Sequence, residues 1–170
     1  MLIHSVLTTL ILLLATTTSI DKATERAHER AFERIKKLEG TWKGRSTRGW
    51  SEQMTYRVIA NGSIVMETSF EAHPNETMVT MFGLDRGRLM LTHYCVAKNQ
   101  PRLVAGDISE DGKKITFNFL DGTGLSSRDQ GHMDKAVFHF TDDDHYTAQW
   151  TWYQNGSERW MEKIECERAE

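Results

Sequence analysis

The chain predicts an all-β protein: a closed antiparallel up-and-down β-barrel of about ten strands behind a short N-terminal helix. Three observations carry this. After Gly40 the hydrophobic period changes from helical to two. The alternating segments are punctuated by tight-turn dipeptides, among them Asn61-Gly62, Arg86-Gly87, Asp111-Gly112 and Asn155-Gly156. And strands joined almost wholly by short turns form a meander, which leaves two exposed edges unless it curls shut.

The first segment stands apart. Residues 1–19 contain the apolar run Val6 to Ala15, followed by Thr16, Thr17, Thr18 and Ser19. An apolar region of about 7–15 residues ahead of small residues is the pattern of a secretory signal, with Thr17 and Ser19 before the cut. A membrane span needs about 20 predominantly apolar residues, and the threonines shorten this stretch. The chain thus divides into a signal peptide at 1–19, a helical segment at 20–39 and a barrel domain at 40–170, with no stable membrane span after cleavage. It is expected to be secreted or periplasmic.

Residues 21–38 read as the helix. Ala27, Ala31, Phe32, Ile35 and Leu38 fall near one face, against Glu25, Arg26, Glu29, Arg30, Glu33 and Lys37. Asp21 is placed to cap it and Gly40 to stop it. So narrow an apolar stripe must lie on something, and one end of the barrel is available. Strands are expected near 41–49, 51–60, 63–72, 77–85, 88–97, 101–108, 113–120, 134–141, 145–154 and 157–168. The one long connection, 121–133, holds Gly122, Gly124, Ser126, Ser127 and Gly131, and is a candidate binding rim.

Charge is balanced, 21 Lys and Arg against 24 Asp and Glu, which excludes a basic nucleic-acid footprint. The two cysteines, Cys95 and Cys166, fall on the fifth and tenth strands of a meander. They are therefore expected on opposite walls, beyond the roughly 7 Å that a disulfide spans.

The segment Leu38-Glu39-Gly40-Thr41-Trp42-Lys43-Gly44, between helix and first strand, resembles the Gly-x-Trp start of lipocalins and related calycin barrels. The resemblance implies that Trp42 closes one barrel end and that an Arg on the last strand, here Arg168, packs over it. The strand count is closer to fatty-acid-binding proteins than to eight-stranded lipocalins. A further resemblance spans nearly all of 32–168. Leu91-Thr92-His93-Tyr94-Cys95 followed by Asn99-Gln100-Pro101-Arg102, with Arg88-Leu89-Met90 and Thr147-Ala148-Gln149-Trp150-Thr151, is similar to a family of exported bacterial proteins with an expected calycin-like barrel and no established activity. It carries over no catalytic residues.

Polar chemistry concentrates around the hairpin holding His93, Tyr94, Cys95, Asn99, Gln100 and Arg102. Leu89, Leu91, His93, Cys95 and Ala97 share one strand face; Met90, Thr92, Tyr94 and Val96 share the other. With the first set inward, His93 and Cys95 enter the lumen and Arg102 offers a fork to a carboxylate or phosphate. The plainer alternative has Asn99 and Gln100 satisfying turn backbone and Arg102 pairing with a nearby acid. His93 and Cys95 are two apart on one face, but a nucleophilic thiolate also needs a third group to orient the base, and the sequence offers none.

The seven histidines show no metal-ligand spacing, and Asp142-Asp143-Asp144 is explained as a turn, so no metal is expected. Nitrobindins, haem-binding barrels of ten strands, carry their proximal His near the C-terminus. The last strand here, 157–168, has none, so no cofactor is expected. Trp150, Trp152 and Tyr153 face Trp160 across the Asn155-Gly156 turn; an ideal turn pairs Trp150 with Met161 and leaves Ile164 and Cys166 on the opposite face. Both faces then carry apolar residues, and only a bulge would choose between them. With Met54, Met66, Met78, Met81, Met90 and Met133 these aromatics fill a core or line an adaptable apolar pocket. Asn61, Asn75 and Asn155 open glycosylation sequons that matter only in a eukaryotic secretory pathway; in a chain resembling bacterial proteins they are turn residues.

The expected function is binding of a small hydrophobic or amphipathic molecule in the lumen, with His93, Tyr94, Cys95, Asn99, Gln100, Arg102, Trp150 and Trp152 as candidate contacts and Gly40, Trp42 and Arg168 as structural residues. Two alternatives are an enzyme using His93, Tyr94 and Arg102 in the same cavity and a non-catalytic envelope module. Nothing in the sequence specifies an oligomeric state. Exported protein is expected to begin near Ile20; an intact mass that still includes Met1 would show an uncleaved anchor instead.

Overall fold

The computed structural model describes residues 21–73 and 75–169. The expected signal at 1–19 lies outside them. No helix among the described residues is long and apolar enough to cross a membrane.

Helix α1 spans Lys22–Lys36. Asp21 caps it: the carboxylate accepts from the backbone N–H of Ala23 at 2.9 Å and of Thr24 at 3.0 Å, satisfying two donors that the first turn leaves free. The helix closes at Lys37, not at Gly40. Backbone N–H groups of Lys37, Leu38 and Glu39 turn back to the carbonyls of Arg34, Ile35 and Lys36, a tightened last turn. Gly40 instead opens the first strand at φ +122°, where a Cβ would come within 3.3 Å of the Arg168 guanidinium. Ala31, Phe32, Ile35 and Leu38 are buried, and α1 lies across β4, β5 and β6.

Ten strands follow: β1 (Gly40–Ser46), β2 (Ser51–Ile59), β3 (Ile64–Ser69), β4 (Met78–Asp85), β5 (Arg88–Tyr94), β6 (Gln100–Ile108), β7 (Lys114–Thr123), β8 (His132–Phe140), β9 (His145–Gln154) and β10 (Ser157–Arg168). Each pairs antiparallel with its sequence neighbours, and β1 pairs with β10 to close the barrel. The sheet has no free edge, which is how an all-β chain of this length avoids edge-to-edge association.

Turn chemistry sets much of the register. Arg86-Gly87 and Asn155-Gly156 have positive φ at both residues and join directly paired flanks, Asp85 to Arg88 and Gln154 to Ser157. These are two-residue hairpins of the type whose twist matches that of the strands. Asn61-Gly62 belongs to a longer connection, a 3₁₀ turn over Ala60–Gly62 between the paired Ile59 and Ile64. Several expected boundaries move, β1 and β3 ending three residues early among them, and two of the shifts reshape the candidate hairpin and rim. β5 stops at Tyr94, because the Cys95 N–H and C=O bond to Asn99 and Lys98 across a tight turn. β7 runs on to Thr123, paired with Gln100 on β6, so the long connection shrinks to residues 124–131.

The inward face of the α1-side half is packed with aromatic rings. Phe82, Phe117 and Phe138 meet edge to face at 5.6–6.1 Å, and Trp42 meets Tyr146 at 4.9 Å, geometry that favours edge-to-face contact. Trp42, only 1% exposed, donates its indole N–H to the Leu38 carbonyl at 2.7 Å. The Arg168 guanidinium lies 4.4 Å from the Trp42 ring and donates to the carbonyls of Lys37, Glu39 and Asp143 and to the Asp144 carboxylate. One side chain thereby ties the helix exit, β1, the β8–β9 turn and β10 together. Cys95 and Cys166 are both unpaired thiols.

Replacing Trp42 with Ala is expected to cost about 3–5 kcal/mol in urea denaturation, the range for deleting a large core aromatic; a loss below about 1 kcal/mol would show that the ring does not hold this end shut.

Candidate functional site

The α1-side half of the lumen is filled by rings, and the opposite half is polar. Four inward residues stand directly opposite one another across four neighbouring strands: Tyr56 on β2, Glu67 on β3, Thr80 on β4 and His93 on β5. All four are buried. The Tyr56 hydroxyl meets the Tyr146 hydroxyl at 2.7 Å. The Thr80 hydroxyl lies 3.0 Å from His93 Nδ1 and hydrogen-bonds Glu67 on its other side. The His93 ring reaches across the lumen to 5.1 Å from the Trp150 ring on β9. Its second nitrogen, Nε2, is sealed from solvent and has no hydrogen-bond partner. Burial alone pushes the imidazole down to about 4, so it is neutral at physiological pH.

Two more carboxylates approach this row. Glu52 shares the inward face of β2 with Met54 and Tyr56, and accepts from the Phe70 backbone N–H at 3.3 Å. Glu162 on β10 pairs with Trp150 and accepts the Ser46 hydroxyl at 2.7 Å. Burial, then the neighbouring Glu67 and Glu162, push the Glu52 carboxyl up to about 8. Burial pushes Glu67 to about 7, against the opposing bond from Thr80. Burial likewise raises the Tyr56 and Tyr146 hydroxyls, and lifts Cys166 to about 12. No Lys or Arg is among the buried residues described, so the acids have no buried base to pair with.

Glu162 owes its inward position to a bulge. The hairpin begins as expected, with Trp152 opposite Arg159. The register then slips at Met161, so Trp150 faces Glu162, not Met161. An extra residue on one strand reverses the alternation beyond it. Trp150, Glu162, Ile164 and Cys166 consequently all turn inward and are buried. The two apolar faces that an ideal turn implies become one.

The sequence-expected contacts divide between the two faces. His93 and Trp150 point into the lumen and meet there. Trp152, half-buried, lies toward the mouth, the end away from α1. Tyr94 is exposed on the outer face, and Cys95 sits in the turn after β5 instead of on the lumen face. Asn99 is fully buried but serves the scaffold, its amide N–H₂ donating to the Gly131 carbonyl at 2.9 Å while Oδ1 stays unpartnered. Gln100 accepts from the Thr123 hydroxyl at 2.6 Å. Arg102 points outward and forks onto Asp121, both half-exposed. It is not an anion anchor in the lumen, because the side of β6 that carries it is the side opposite Leu103 and Ala105. Glu52, Glu67, Thr80 and Glu162 were not among the expected contacts. Glu67 and Thr80 did carry a signal, being polar residues in the apolar register of Val65 and Phe82; Glu162 carried none without the bulge.

The connection 124–131 is latched at the mouth. Arg128 stacks between Phe119 and Tyr153, 4.5 and 3.6 Å from their ring centres, and bonds Asp134 and His132. A groove of about 520 Å³ runs over the outer side of β1, β2 and β10, lined mainly by exposed residues such as Lys43, Arg45, Gln53, Glu165 and Glu167, and also by the buried Gly44. Gly44 is needed there: a Cβ would press within 2.8 Å of Met54 and 2.9 Å of Ile164. Among the described residues no three His, Cys, Asp or Glu side chains group closely enough to hold a metal ion. No family model matches the chain, and no curated protein matches it.

The raised carboxyls make stability depend on pH. The unfolded groups titrate near 4.5 and the folded ones near 7 and 8, so the folded state holds extra protons in between. That contribution is whole below about pH 4.5 and is lost as pH rises through the folded values. Glu67→Gln is expected to flatten the fall in melting temperature between about pH 5 and pH 8; a slope equal to wild type would show that Glu67 is ionised throughout.

Proposed function

We propose that this barrel is an exported binding protein that holds a small, mostly apolar molecule in the mouth half of its lumen. The observation that carries the reading is His93: a neutral imidazole nitrogen sealed inside a folded protein with no partner. Buried polar atoms left unmade cost about 1–3 kcal/mol, so one retained in a lumen implies a partner that arrives. Around it Trp150 supplies an apolar wall, with Phe82 and Phe138 below, and Thr80, Ser69, Glu52, Glu67 and Glu162 supply a few convergent polar groups. That mixture, apolar walls with sparse orienting polar atoms, is the usual constitution of a small-molecule site.

A binding role is favoured over catalysis by the residues expected to act. Tyr94 and Arg102 lie on the outer surface, so acid, base and anion anchor do not converge on His93. Cys95 is held in a turn, and burial raises its thiol above the ordinary range, opposite to an activated nucleophile.

Native mass spectrometry of the chain purified from its own host tests the reading. A retained small-molecule mass is expected in the wild type and a much smaller fraction of it in His93→Leu, with both proteins folded. The bare protein mass in both, after gentle desolvation, would remove the basis for a ligand site.

A further inference from the structure

One stretch of the barrel wall has no backbone ladder. β7 pairs with β8 from Lys114↔His139 to Asn118↔Lys135. Toward the mouth the two strands part: among the described residues Phe119, Asp121, Gly122 and Thr123 pair with β6, His132 and Met133 pair with β9, and the two sets do not pair with each other. Side chains hold this seam instead. The rings of Phe119 on β7 and His132 on β8 lie 4.5 Å apart between centres. Arg128, from the connection 124–131, sits between Phe119 and Tyr153 and bonds Asp134 and His132. Gly131 lets the returning chain lie against Trp152, where a Cβ would come within 2.4 Å of the indole ring.

His132 is fully buried, and its two nitrogens have fixed roles. Nδ1 lies 2.6 Å from the Gln130 carbonyl oxygen, which can only accept, so Nδ1 carries the proton. Nε2 faces the Arg128 guanidinium, which can only donate, so Nε2 must be bare. The latch thus requires a neutral imidazole of one tautomer. A proton on Nε2 would set donor against donor and cation against cation. It would also turn Nε2–H toward Asp134 Oδ1, 3.5 Å away, the same oxygen that Arg128 holds. The groups facing the imidazole are Arg128 from the connection, Asp134 from its own strand and Tyr153 from β9; β7 presents the uncharged Phe119 ring. Among the described residues Asp134 is the one carboxylate paired with either cation, and it is almost fully buried.

We propose that the connection 124–131 is a pH-operated gate across this seam, shut by Arg128 while His132 is neutral and released when His132 gains a second proton. Histidine is the side chain that changes charge within the span of about pH 5 to 8. On the lumen reading above, the open seam is a side entrance next to Trp152 and the buried Met133. That use rests on the reading; the gate itself does not.

Hydrogen exchange of the full chain, followed by NMR and divided by the intrinsic chemical rate, tests the gate without any ligand. Three backbone N–H groups report on it: Ser126 bonds the Gln130 side chain, Gln130 the Ser127 carbonyl, and Asn155 the Asp129 carbonyl. All three are expected to exchange roughly ten- to a hundredfold faster at about pH 5 than at about pH 8, the factor that one charge-assisted hydrogen bond is worth. Amides of β1 and the middle of β9 should not speed up, because the raised Glu52 and Glu67 carboxyls favour the fold as pH falls. Nitrogen shifts of His132 at the higher pH should show a protonated Nδ1 and a bare Nε2. Arg128→Ala, at a position with 43% of its side chain exposed, should exchange fast at both pH values. His132→Gln should stay equally protected at both, and if it fails to fold, wild type and Arg128→Ala decide. Exchange of the three amides that ignores pH in wild type, the opposite tautomer, or a pH response that survives in Arg128→Ala would overturn the gate and leave the lumen reading to its own test.

Discussion

Pairing of β1 with β10 is the contact on which the rest of the molecule depends. Register from Trp42↔Arg168 to Ser46↔Ile164 turns an open meander into a tube with an inside. It also brings the two ends of the domain together, so a tryptophan from the first strand and an arginine from the last share one site. Arg168 uses the full reach of its guanidinium there: a ring face, three carbonyls and a carboxylate. A lysine, a point charge without a planar fork, would meet only part of that set. With the sheet closed, each inward residue meets partners from across the tube as well as from adjacent strands, which is how His93 on β5 comes to lie against Trp150 on β9.

Closure forces a division of the lumen. The helix-side half is occupied by Trp42, Phe82, Phe117, Phe138 and Tyr146, rings that interlock edge to face and leave no reason for polar atoms to be present. Toward the mouth the same strands turn polar: Val65 gives way to Glu67 and Ser69, Phe82 to Thr80, Leu91 to His93 and Tyr56 to Glu52. Each step is two residues along a strand, or four in the last case, so it is written in the same alternation that builds the core. Aromatic packing at one end supplies the stability that lets the other end carry buried acids at a cost. Those carboxyls are tolerable because burial raises them, so that they hold protons.

The mouth has its own order. Arg128, clasped by Phe119 and Tyr153 and bonded to Asp134, anchors the connection between β7 and β8. The buried Asn99 ties that connection to the β5–β6 turn through Gly131. Trp50 and Phe70 meet at a tilt, 5.0 Å between ring centres, where the β1–β2 and β3–β4 connections meet. The rim is thus built of specific contacts, with Phe70 touching Glu52 through its backbone N–H.

Closure and strand number were legible in the sequence because they follow from local rules. Alternation marks every strand, and dipeptides such as Arg86-Gly87 and Asn155-Gly156 demand positive φ whatever surrounds them. The seat of Asp21 at the helix start is local in the same sense. The helix stop was misread at Gly40, because that glycine serves a close approach by Arg168 from the far end of the chain, and no local pattern distinguishes this from a C-cap. The site was legible only in part. His93 and Trp150 announce themselves by residue type, but which face of their strands turns inward depends on neighbours distant in sequence. For Arg102 the sequence left open an anion anchor and a pairing with a nearby acid, and the tertiary structure supplies that acid as Asp121, nineteen residues on. Glu162 was hidden entirely, since a single extra residue at Met161 reverses its side, and a bulge is chosen by the packing of the whole barrel. Sequence by itself determined the period, the turns and so the tube; only the tertiary structure decided what faces its interior, because inward and outward differ by one residue of register and that residue is settled by contacts across the lumen.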